Sequence, residues 1–81
     1  MSDDRPTASE LEELLATMLA GVVGGDENDW KRAIGAVEVL DIVWHPKCNW
    51  TVNPTGSIEQ VAAIGAAAAV LADAHPYARK I

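Results

Sequence analysis

The chain has 81 residues, room for one small domain, with 12 acidic and 6 basic side chains and a net charge of -6. Apolar residues make up 49%, which excludes a disordered composition, while the single cysteine excludes an internal disulfide and a cysteine-rich zinc site. The longest apolar run, Val61 to Ala72, has 12 residues, and a membrane span needs about 20. With no basic-then-apolar signal pattern at Met1–Pro6, the expectation is a soluble cytoplasmic protein. Bulk is scarce: 14 residues are alanine and phenylalanine is absent, so the core depends on Leu, Ile, Val and three tryptophans. A chain of this size buries only about 60–65% of its unfolded surface and has a thin stability margin.

Residues 1–8 read as a flexible acidic N-terminus and 9–81 as one small domain. Thr7-Ala8-Ser9-Glu10 and Ser9-Glu10-Leu11-Glu12 both fit a capping box. Leu11, Leu14, Leu15, Met18, Leu19 and Val22 then recur at helical spacing, predicting an amphipathic helix over 9–23 that Gly24-Gly25 ends. Asp26-Glu27-Asn28-Asp29 opens a second, short helix, anchored by Trp30 and Ile34 and stopped by Gly35.

From Val37 to Trp44 the β-branched residues predict a strand, His45-Pro46-Lys47-Cys48 a turn, and Asn49 to Asn53 the returning strand. Beyond Asn53-Pro54-Thr55-Gly56, the capping box Ser57-Ile58-Glu59-Gln60 starts a helix over 58–74. Its apolar line is Ile58, Val61, Ile64, Ala68 and Leu71. The small residues from Gly65 to Ala69 predict close packing there, making this helix the main packing element. The fold class is therefore α+β, two main helices and a short one packed on a β-hairpin in the order α-α-β-β-α.

Pairing Trp44 opposite Asn49 sets Val43 against Trp50, Ile42 against Thr51 and Asp41 against Val52. Val37, Val39, Val43, Trp50 and Val52 then share the face that receives the helices, because side chains alternate across a sheet. Leu40, Ile42 and Trp44 fall on the opposite face as an exposed apolar patch, and such patches mark contact sites. A two-stranded hairpin is marginal alone and leaves both edges open. Dimerisation through an edge or through this patch would extend and cover the sheet, so a homodimer is expected.

Few residues suggest chemistry. His45 and Cys48 place an imidazole and a thiol on one turn, a pair able to bind a metal or act as base and nucleophile. A third group, Asp41 or His75, would have to complete that set, and the plainer reading is a polar hairpin tip. Asp41 interrupts an apolar strand and needs a bulge, a cap or a partner. Pro54-Thr55-Gly56-Ser57 leads into a helix N-terminus but lacks the glycines and lysine of a phosphate loop. His75-Pro76-Tyr77 suits a helix end, with His75 on the last carbonyls and Tyr77 covering them. No catalytic residue, metal site or cofactor is expected.

Charge is uneven. Residues 1–29 carry eight carboxylates (Asp3, Asp4, Glu10, Glu12, Glu13, Asp26, Glu27, Asp29) against Arg5, and 30–81 carry Lys31, Arg32, Lys47, Arg79 and Lys80 against four carboxylates. An acidic half and no basic stripe argue against nucleic acid and toward a basic protein partner, and the shortness of the apolar run argues against a membrane. The expected function is a non-enzymatic, self-associating protein-interaction module acting through Leu40, Ile42 and Trp44. The alternative is a small-molecule or metal-binding protein, or a minor enzyme, built on His45 and Cys48.

Overall fold

Of the two candidate capping boxes at the first helix, the chain uses the one at Thr7. Thr7 Oγ1 accepts from Glu10 N–H at 3.2 Å, and Glu10 Oε1 accepts from Thr7 N–H at 3.2 Å. Thr7 is buried and forms a parallel bridge with Arg79, which holds it in the extended conformation an N-cap needs. The computed structural model describes residues 5–79. Of the acidic segment 1–8, residues 1–4 lie outside the described residues; Pro6 and Thr7 are buried against the body.

The elements follow in the expected order: α1 (Ala8–Val22), α2 (Glu27–Ile34), β1 (Glu38–Val39), β2 (Trp50–Thr51) and α3 (Ile58–Ala74). The fold is α+β, three helices and a two-stranded antiparallel hairpin. Asp26 caps α2 by accepting from Asn28 N–H at 2.7 Å, and Gly35 ends it with φ +70 and ψ -149, a region open essentially to glycine. Ser57 and Gln60 close the expected capping box on α3. No helix among the described residues is long and apolar enough to cross a membrane.

The packing centre is α1, not α3. Leu11, Leu15, Ala16 and Leu19 are buried along α1, which meets both other helices, while α2 and α3 touch only lightly. Its period puts bulky leucines on one stripe, and the stripe can serve two neighbours at once. On α3 only Ile64, Ala67 and Leu71 are buried; Ala68 is half-buried against the core. Ile58, expected on the packed line, is 89% exposed, and Val61 also faces outward. The Ala-rich helix is apolar all round, so periodicity could not single out its buried side.

The hairpin is shorter than expected and paired four residues away. Glu38 lies opposite Thr51 and Val39 opposite Trp50. Leu40 N–H donates to Asn49 O at 2.6 Å, and the ladder stops there. The cause is Asp41. Its Oδ1 accepts from Val43 N–H at 2.9 Å, and its carbonyl accepts from Trp44 N–H and His45 N–H at 3.1 and 3.0 Å. Such local bonds compete with a ladder and turn the chain. A shift of four preserves alternation, so Val37 and Trp50 are buried, and Val39 and Val52 pack against the core, on the side expected for them. Val43 belongs to the turn and is exposed rather than facing the helices.

Candidate functional site

The site is built on the turn 41–45 and on what holds its base. Leu40 is half-buried at the end of the ladder, whereas Ile42, Val43 and Trp44 are 42%, 74% and 78% exposed. The structure therefore brings Leu40, Ile42 and Trp44 close in the chain but not onto a common sheet face. Ile42 and Trp44, with Val43 as a further member, form an exposed apolar turn, and Leu40 lies at its base. Alternation along an unbroken strand hid that role of Val43; the signal available was an Asx-turn residue, Asp41, two positions before it.

Asn49 fixes the other arm. It is 4% exposed, and its side chain pairs with the backbone of Ala78: Nδ2 donates to Ala78 O at 2.9 Å, and Oδ1 accepts from Ala78 N–H at 2.6 Å. Its own N–H donates to Pro76 O at 3.1 Å. Trp50 Nε1 donates to His75 O at 2.8 Å, and Tyr77 OH donates to Pro46 O at 2.6 Å. Segment 75–79 thus runs along the hairpin as a clasp. Its far side is tied to the N-terminal end of α1, where Arg79 N–H donates to Pro6 O at 2.9 Å and its Nε to Arg5 O at 2.8 Å. Tyr77 was expected over the end of α3 and instead reaches the hairpin, since the chain turns away from the helix at His75. His75 closes α3 through its backbone N–H, which donates to Leu71 O at 2.7 Å.

Beside the turn lies a shallow depression of about 400 Å³ lined by Arg5, Leu40, Asp41, Ile42, Asn49 and Arg79. Arg79 forms an exposed ion pair with Glu10 at 3.5 Å. Among the described residues, two cations, Arg5 and Arg79, and one carboxylate, Asp41, line this depression, and Lys47 is exposed on the loop that follows the turn. The apolar turn is therefore flanked by positive charge.

The other candidates are arranged less suggestively. His45 is exposed, and the half-buried Cys48 directs its thiol to Trp50 O at 3.5 Å. Among the described residues no three His, Cys, Asp or Glu side chains gather where they could hold a metal ion. At 54–57, Thr55 N–H donates to Ala33 O at 2.7 Å, and the capping box occupies the backbone N–H groups of Ser57 and Gln60. Amides used in this way are not presented to an anion. No protein-family model, curated protein or solved structure matches the chain.

Proposed function

We propose that this protein is a non-enzymatic interaction module that self-associates through the apolar turn at Leu40, Ile42 and Trp44. The observation that carries the reading is the turn itself: three consecutive large apolar side chains, Ile42 to Trp44, face solvent on a backbone held by Asp41 at its start and clasped by Asn49 at its base. Ordering apolar groups in water gains nothing within one chain; it lowers the entropy cost of docking them on a partner. Tryptophan is also the residue type most enriched among the dominant contacts of interfaces. A homodimer would cover the turn in both copies. The reading places the module in the cytoplasm, where the single thiol of Cys48 remains reduced.

Sedimentation of the purified chain tests this. The wild type is expected to be dimeric, and the double variant Ile42→Lys, Trp44→Glu to be a folded monomer with an unchanged circular dichroism spectrum. A wild type that remains monomeric at millimolar concentration overturns the reading.

A further inference from the structure

Among the described residues, nothing covers a second apolar surface. Where the last turns of α1 pass the middle of α3, a groove of about 460 Å³ is lined by Met18, Val22 and Val23 on one wall and Ala63, Ala66 and Val70 on the other. Val22, Val23 and Val70 are 82%, 59% and 62% exposed. No charged residue occurs between Leu14 and Gly25, nor between Gln60 and Ala72. A helix as uniformly apolar as α3, with three residues buried, is built to be covered on more than one side.

The charge pattern says what covers it. On α3 the positions Glu59, Ala63, Ala66, Val70 and Asp73 repeat at intervals of four and three, so they form one stripe along the helix. Both ends of the stripe are exposed carboxylates, and its middle is the groove wall. The turn at 42–44 has an apolar centre, with Arg5 and Arg79 beside Asp41 in the depression on one side and Lys47 exposed three residues beyond Trp44. One surface is concave with acidic ends and the other is convex with basic flanks, and both belong to this chain.

We propose that the apolar turn of one copy docks in the α1–α3 groove of a second copy, with Val43 and Trp44 entering between the helices and Lys47 meeting one acidic end of the stripe. The proposal rests on self-association through the turn and adds the surface that receives it. The two surfaces lie near opposite ends of α1, a helix of 15 residues and so about 22 Å long. Turn and groove therefore come from different copies. Each contact joins two unlike surfaces: exchanged reciprocally by two chains side by side in opposite directions it closes an isologous two-fold dimer, whereas made head to tail it would form a row. An acidic chain repels its own copies over most of its surface, and this pairing is one where opposite charges meet.

Complementation by mixing tests the proposal. Trp44→Ala removes the wedge and Val70→Lys spoils the groove, both at exposed positions; Ala66→Gln is a second groove variant should Val70→Lys lower the melting temperature. Each variant alone is expected to raise the dimer dissociation constant at least about thirtyfold and to sediment as a folded monomer. A one-to-one mixture of the wedge and groove variants should sediment as a heterodimer, since one intact turn still meets one intact groove. Groove variants that dimerise like the wild type overturn the inference and leave self-association through the turn standing. A mixture that stays monomeric overturns it too, as does a Trp44→Ala chain that still dimerises, which would mark pairing of α3 with α3. A monomeric wild type removes both readings together.

Discussion

The side chain of Asn49 pairs with the backbone of Ala78 as though it were a strand, giving and receiving one hydrogen bond across 29 positions of sequence. Both groups are buried, and neither has water as a substitute. This contact joins the hairpin that carries the apolar turn to the segment anchored at the start of α1.

Asn49→Ala should therefore cost about 2–3 kcal/mol, because it strands a buried N–H and a buried carbonyl at Ala78. Urea unfolding measures it. Asn49→Asp should be nearly as harmful, since it keeps the acceptor, loses the donor to Ala78 O and buries a charge. A loss below about 0.5 kcal/mol for Asn49→Ala would show that the clasp contributes little.

Gly35 offers a backbone test. Its φ of +70 with ψ of -149 is a conformation that side chains resist, although a Cβ there would meet only Asn53 O at 3.8 Å. Gly35→Ala is expected to destabilise by about 1–3 kcal/mol through strain rather than collision. Equal melting temperatures would mean that the link from α2 to β1 relaxes freely.

Two small residues of α3 should respond in opposite directions. A Cβ on Gly65 meets nothing within 4 Å, so Gly65→Ala removes a mid-helix glycine at no steric cost and should stabilise by about 0.5–1 kcal/mol. Ala67 is buried in the core, so Ala67→Leu should overpack and cost about 1–3 kcal/mol. Thermal melts of the two variants would separate the free face of α3 from the packed one.

His45→Ala and Cys48→Ser should leave both the fold and the sedimentation behaviour unchanged. The imidazole is exposed, and a serine hydroxyl can replace the thiol on Trp50 O. Zinc copurifying with the wild type and missing from both variants would contradict this and favour the metal-binding alternative.

Local chemistry by itself determined the helices. Capping boxes at Thr7 and Ser57, the glycine stop at Gly35 and the leucine period of α1 all act within a few residues, so they can be read without knowing the fold. The inward side of Val39 and Trp50 was legible for the same reason, as alternation survives an even shift in register. Tertiary structure decided the rest. Asp41 stands between the two cases: its bonds to Val43, Trp44 and His45 are local and leave a signal, but whether they prevail over ladder bonds depends on the partner strand. Which side of α3 is buried could not be read from a helix that is apolar on every side; contact with α1 chooses it. Asn49 looks like an ordinary strand residue in sequence, and its role exists only because segment 75–79 folds back beside it. Bonds that close over a few residues leave a pattern in the chain, and bonds that close over 29 do not.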